Sequence, residues 1–261
     1  MSEQNPYQPP AAPAAPAASA SAAAFSAEGR AVDAGRGWEW IAEGFALFKK
    51  QPGMWILVLI VLFACLVIIS LVPVIGSLAN MLLMQVFMGG VMLGCRALDN
   101  GEGFDVGCVF AGFKQNTGDL AVLGLLALVG WIIAFIPAIL IMGGGAFMAM
   151  MGGGGHIASI GALGVTFLLA MLVAFALALP LYMALWFAPS LIVFNNFKPA
   201  DAMKASFFAC MKNMIPFLLY GVILLVLCVI AAIPLGLGFL VLGPVTVASI
   251  YAGYRDIFAA G

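Results

Sequence analysis

The stretch Trp38–Gly76, WEWIAEGFALFKKQPGMWILVLIVLFACLVIISLVPVIG, decides the fold because its layout occurs three times in the chain. A short amphipathic segment ends in Phe48-Lys49-Lys50, an apolar span follows, and Pro73 and Gly76 close it. A second version starts at Phe104 (FDVGCVFAGFKQNTG), and its apolar span reaches Pro137. A third starts at Ala200 (ADAMKASFFACMKNM) and reaches Pro234. From the last basic residue to the proline the steps are 23 residues (Lys50–Pro73), 23 (Lys114–Pro137) and 22 (Lys212–Pro234). A helical step of that size is about 33–35 Å, close to one bilayer hydrocarbon core. The predicted unit is a short interfacial helix feeding a membrane-spanning helix.

Composition sets the class. Apolar residues are 65% of the 261 and charged residues only 8%, against about 25% charged in an ordinary soluble domain. Mean hydropathy is +1.17. The expectation is an all-α, polytopic membrane protein. A net charge of −1 offers no basic face, so no nucleic-acid partner is expected. The five cysteines form no CxxC pair, and thiols rather than disulfides are expected. The start, MSEQNPYQPP, lacks the basic and apolar regions of a cleavable signal peptide. Residues 1–36 read as a disordered Pro/Ala-rich tail, with prolines at 9, 10, 13 and 16 that oppose a regular helix.

Charge placement predicts topology. Three blocks hold no Asp, Glu, Lys or Arg: 51–95, 120–197 and 213–254, of 45, 78 and 42 residues. Even the shortest would be about 63 Å as one helix, twice a hydrocarbon core, so each turns back as a hairpin. Residues 37–261 then form six spans, approximately 54–73, 78–97, 120–141, 161–187, 214–234 and 236–255. Every Lys and Arg falls on one side, including Lys49, Lys50, Arg96, Lys114, Lys198, Lys204, Lys212 and Arg255. The positive-inside rule makes that side cytoplasmic, with both termini inside.

Within this frame several residues stand out. Trp38, Trp40, Phe45, Phe48, Phe113 and Phe207 lie on the lead segments and are candidate membrane-interface anchors. Trp38, Ile41, Phe45 and Phe48 recur at helical spacing. That stripe suits either an in-plane helix or packing on the protein itself. The second and sixth spans end alike, Gly90-x-x-x-Gly94-Cys95-Arg96 and Ser249-x-x-x-Gly253-Tyr254-Arg255, so Gly90, Gly94, Ser249 and Gly253 are candidate sites of close helix approach. Glu39 and Glu43 read as solvated charge. Residues 143–156, Gly- and Met-rich, are predicted as an external loop or a re-entrant segment. Met148, Met150, Met151 and His156 there are soft-ligand types, but methionine is abundant, 15 in all, and fills gaps without a metal.

No catalytic set is legible. His156 is the only histidine, and the glycine runs carry no following Lys-Ser/Thr. Neither cofactor nor metal is called for. Intramembrane charge, the usual mark of ion-coupled carriers, is missing from the spans. Ser70, Asn80, Gln85, Thr166 and Thr246 are the polar groups inside them, suited to interhelical hydrogen bonds. The reading is a non-enzymatic scaffold or accessory factor. The alternative is a carrier or flippase for an uncharged or lipid-like solute. The lipid bilayer is the expected partner, with a membrane protein or a second copy as the remaining classes.

GWEWIAEGFALFKKQPGMWI, the Pro-Val-Ile-Gly turn and FAPSLIVFNNFKPADAMKASFFACMKN together resemble an uncharacterised family of multi-pass bacterial inner-membrane proteins. More distantly, FAPSLIVF followed by ADAMKASF resembles the integral-membrane domain attached to some glycerophosphodiester phosphodiesterases. The resemblance implies a six-helix membrane domain in the bacterial cytoplasmic membrane, and no catalytic residue is carried over.

Overall fold

Gln51 divides the first unit. The residue before a proline is pushed out of the α region, and Gln51 sits at φ −148° between helix α1 (Arg36–Lys50) and helix α2 (Pro52–Ser70). Pro52 then opens α2, at the position where a missing N–H costs nothing. The same logic places Pro189 and Pro199 in the first turns of α6 (Ala188–Asn195) and α7 (Pro199–Lys212). A computed structural model of the chain describes residues 25–151 and 156–259, with side chains omitted at 149–160 and 162. The remaining helices are α3 (Ile75–Asp99), α4 (Thr117–Met151), α5 (His156–Trp186), α8 (Met214–Ala232) and α9 (Phe239–Phe258). A 3-10 helix covers Val106–Phe113. No strand occurs among the described residues.

Among the described residues five helical stretches are long and apolar enough to cross a bilayer: Pro52–Ser70, Ile75–Asp99, Thr117–Met148, Leu163–Asn195 and Met214–Ala232. The sixth predicted span, α9, falls short by this measure. Its last turn carries Arg255 and Asp256, and it buries Ser249, Tyr251 and Tyr254 inside the protein. α2 and α8, with 19 residues each, are about 29 Å long and match a hydrocarbon core. α4, at 35 residues, is about 53 Å long. The Gly/Met-rich stretch is thus no loop up to Met151: α4 runs through 143–151, and α5 starts at His156. Glycine weakens a helix without breaking it as proline does, and no proline or charge interrupts residues 143–151.

The lead segments pack in a cyclic pattern. α1 lies against α8 and α9, the 3-10 helix against α2 and α3, and α7 against α4, α5 and α6. Each later lead segment therefore docks on the helices that precede it in the chain, and the first docks on the last two. The second helices of the hairpins meet at the centre, where Phe187 packs on Phe258 at 5.6 Å and Phe194 on Tyr254 at 5.0 Å between ring centroids. Around this contact lies one continuous buried cluster reaching from Trp40 to Phe258.

Two expectations about the lead segments need correction. The second is a 3-10 helix, not an amphipathic α-helix, because Gly107 and Gly112 weaken α-helix formation and the segment is pressed onto α3. The first does not lay its whole apolar stripe on the membrane: Ile41 and Phe48 are turned into the protein, and so is the anchor candidate Trp40. The tail also ends earlier than Arg36. Residues 25–33 run across the charged end, where Ser26 N–H donates to the Phe258 carbonyl and Arg30 N–H to that of Ile257. The predicted tail before Phe25 lies outside the described residues.

Candidate functional site at the charged end

The three lead segments touch their partner helices through one recurring device. On α9 the backbone pair Val245 C=O and Ser249 N–H lies directly under Gly44, where an added Cβ would come within 2.7 and 2.8 Å. On α3 the equivalent pair is Val86 C=O and Gly90 N–H, and it lies under Gly112 with no space for a Cβ. On α5 the pair is Met183 C=O and Phe187 N–H, and the residue above it is Ser206. Its hydroxyl accepts from Phe187 N–H at 3.0 Å and donates to Met183 C=O at 2.7 Å. Two seats thus exploit glycine to bring backbones together. The third inserts a hydroxyl into the i→i−4 ladder, which is a recognised cause of a helix break. Pro189 contributes too, since it has no N–H for the Leu185 carbonyl. The helix is interrupted at Phe187 accordingly, and α6 starts at Ala188.

Gly90 and Gly94 both face the 3-10 helix. A Cβ on Gly94 would lie 2.7 Å from the Cys108 Cβ and 2.8 Å from the Phe104 ring. Ser249 is 1% exposed and shares a 2.7 Å hydrogen bond with Tyr220. Gly253 is less tight: its Cβ would make ordinary contacts at 3.5 Å with Phe187 and Trp40.

Charge is gathered between α1, α3 and α9. Arg255 reaches Asp99 at 2.6 Å and Glu43 at 2.7 Å. Arg36 reaches Asp256 at 2.6 Å, Glu43 at 3.2 Å and also Glu39. Trp40 Nε1–H donates to Asp256 at 2.9 Å, and Tyr251 O–H to Asp99 at 3.3 Å. Lys50 donates to the Leu98 carbonyl at 3.3 Å. Burial works against the charge on Arg36, but Asp256, Glu39 and Glu43 outweigh it and hold its pKa above the usual value. Glu43 is therefore a network member bridging two arginines, not a solvated surface charge. The i,i+4 spacing of Glu39 and Glu43 is visible in the sequence; the pairing of Glu43 with Arg255, 212 positions away, is not something periodicity reveals.

Asn213, fully buried, is a residue that pattern reading passed over. Its amide donates to the Arg30 and Ala209 carbonyls, both at 2.9 Å, and accepts from Val32 N–H at 2.8 Å. It ties residues 25–33 to the end of α7. Lys212 helps, donating to the Gly29 carbonyl at 3.1 Å. Beside this strap opens a cleft of about 460 Å³ lined by Ala27, Glu28, Asp201, Lys204, Ala205, Phe208 and Lys212.

The remaining predicted residues are dispersed. Trp38, Phe45 and Phe113 are exposed at 55%, 43% and 39%, and Phe207 is half-buried against Phe208. Lys49 lies over the Phe45 ring at 5.1 Å and Arg96 over that of Phe194 at 4.5 Å. Lys198 faces Asp119 at 3.5 Å, and Lys114 follows the 3-10 helix as its C-cap. Met148 is 69% exposed; the side chains of Met150, Met151 and His156 lie outside the described residues. Among the described residues no three His, Cys, Asp or Glu side chains are grouped as a metal site. The Cys108 and Cys210 thiols are pushed up to about 12 by burial, away from a reactive thiolate. Inside the first hairpin Asn80 donates to Ser70 at 2.7 Å and to the Leu66 carbonyl at 3.1 Å, while Thr246 bonds only its own helix.

No family model matches the chain, and no solved structure matches it. It is similar to a protein described as a probable inner membrane protein of Burkholderia thailandensis, at 29% identity over 250 residues that cover 87% of this chain and 92% of the relative.

Proposed function

We propose that the chain is a six-span protein of the bacterial inner membrane, with both termini cytoplasmic, that works as a non-enzymatic scaffold or accessory factor. The observation that carries this reading is the interlock of the three lead segments. Gly44 and Gly112 seat backbone on backbone and Ser206 bonds the backbone through its hydroxyl, each joining its lead segment to a preceding helix pair, with the first joined to the last. A carrier needs two alternative arrangements of its helices, and side chains can slide more readily than interdigitated backbones. An end closed this way suits holding a fixed surface.

Membrane placement draws on the five apolar helices, on the one-sided lysines and arginines, and on the description of the Burkholderia relative. α9 serves as the sixth span because its polar groups point at protein rather than lipid, so it needs less apolar character than its neighbours.

Reporter fusions at residue 155 and at the C-terminus are expected on opposite sides of the membrane; finding both on one side would defeat the six-span topology. Purification in mild detergent is expected to bring down a stoichiometric membrane-protein partner and no turnover. Net movement of a lipid-like solute in liposomes holding the purified chain would instead make it a carrier, and turnover by the chain alone would end the non-enzymatic reading.

A further inference from the structure

The cleft beside the strap has an unusual charge pattern for its place. One face of α7 supplies Asp201, Lys204, Ala205, Phe208 and Lys212, and the strap supplies Ala27 and Glu28. Two lysines thus face two carboxylates across about 460 Å³, within the roughly 300–1,000 Å³ range of small-molecule sites. One long, exposed ion pair crosses the cleft. Lys212 Nζ stands 3.9 Å from the Glu28 carboxylate, and the Glu28 side chain is 91% exposed. Two of the three Lys212 protons go to the Glu28 and Gly29 carbonyls, leaving one for the cleft. Neither Asp201 nor Lys204 has an ion pair among the described residues.

The position is equally specific. Phe208 at the cleft is 49% exposed, and beyond it Met211, Met214, Ile215 and Leu218 form a continuous exposed apolar surface leading down α8. The cleft therefore sits where that apolar surface meets the charged end, the level at which lipid headgroups lie when α8 spans a bilayer.

We infer that this cleft binds the headgroup of a zwitterionic phospholipid carrying a primary ammonium, phosphatidylethanolamine. Lys204 and Lys212 take the phosphate, Asp201 and Glu28 take the ammonium, and Phe208 lies along the start of the acyl chains. The choice among lipids follows from charge complementarity. Phosphatidylglycerol would leave both carboxylates facing an anion. Phosphatidylcholine would present methyl groups where the carboxylates need N–H donors. The inference rests on the membrane placement above and is independent of the scaffold role.

The test is native mass spectrometry of the full chain in detergent, titrated separately with phosphatidylethanolamine, phosphatidylglycerol and phosphatidylcholine. One phosphatidylethanolamine is expected to remain bound under activation that strips the other two. Lys204→Gln and Asp201→Asn are each expected to weaken its retention about tenfold. Both side chains are surface groups, and unchanged melting temperatures verify that the variants fold. Equal retention of phosphatidylglycerol would overturn the assignment, as would retention unaffected by either substitution, which marks annular lipid only. Failure of the topology fusions would instead remove the membrane placement itself.

Discussion

At the charged end Trp40, Met92, Phe187, Leu191 and Phe258 are at most 1% exposed, whereas toward the opposite end Phe63 is 69% exposed, Phe175 70% and Leu235 97%. The contrast runs along single helices as well as between regions. α3 buries most of its second half, from Val86 to Leu98, and leaves Ile75 and Leu78 open in its first. Water accounts for the difference. Where the chain meets an aqueous interface, apolar surface must find protein, and it does so around the three seats. Within a bilayer, lipid tails are as apolar as leucine, so no hydrophobic force draws the helices together. The far halves can remain apart without penalty, and contacts there arise from specific groups such as Asn80 and Ser70.

The sharpest way to break this comparison is a glycine substitution at each end. Gly112→Leu should fail to fold or lose stability at or above the roughly 1–3 kcal/mol typical of overpacking, since a Cβ there meets the Val86 and Gly90 backbone. Gly164→Leu, in the far half of α5, meets nothing within 4 Å and should stay within about 0.5 kcal/mol of the parent. Thermal unfolding in one detergent compares them; equal losses would show that the two ends do not differ in rigidity. Next in size is Ser206→Ala, which strands Phe187 N–H and Met183 C=O and should cost about 1–3 kcal/mol. Ser70→Ala removes a back-bond to its own helix and one Asn80 contact and should cost less in the same assay.

A smaller effect is expected from the charge network. Asp99→Asn weakens its pairing with Arg255 and should lower stability by about 1 kcal/mol at low ionic strength and by less in high salt, because the pair is partly exposed. A loss that salt leaves unchanged would mean that the network is sealed from water. The smallest concerns the thiols. With Cys108 and Cys210 pushed up to about 12, both should resist alkylation at pH 8 until the protein unfolds. Their folded values lie above the ordinary thiol value of about 8.5, so they alter nothing below it. Stability should then decline as pH rises from about 8.5 toward 12. Labelling of the folded chain at pH 8 as fast as that of the unfolded chain would contradict their burial.

The motif that runs from FAPSLIVF to ADAMKASF gains a physical meaning from the structure. Its first half contains the break at Phe187 and its second half the serine that fills it. Neither half announces this alone, because serine inside an amphipathic helix reads as an ordinary polar residue. Gly90 and Gly94 were legible as a small face, but not that their partner is the 3-10 helix rather than another span. Trp38 and Trp40 lie two positions apart and so on different sides of α1, and the structure turns Trp40 inward onto Asp256 while Trp38 stays exposed.

By itself the sequence determined the helical class and the apolar runs long enough to cross a bilayer, since both follow from local quantities. These are the length of an apolar run against the thickness of a bilayer, the position of prolines, and the count of charges in a block. Only the tertiary structure decided which hairpin each lead segment docks on, that Glu43 bridges Arg36 and Arg255, and that the helix breaks at Phe187. Those are pairings between residues tens to hundreds of positions apart. Their energies come from backbone approach and hydrogen-bond geometry, which one segment's periodicity does not encode.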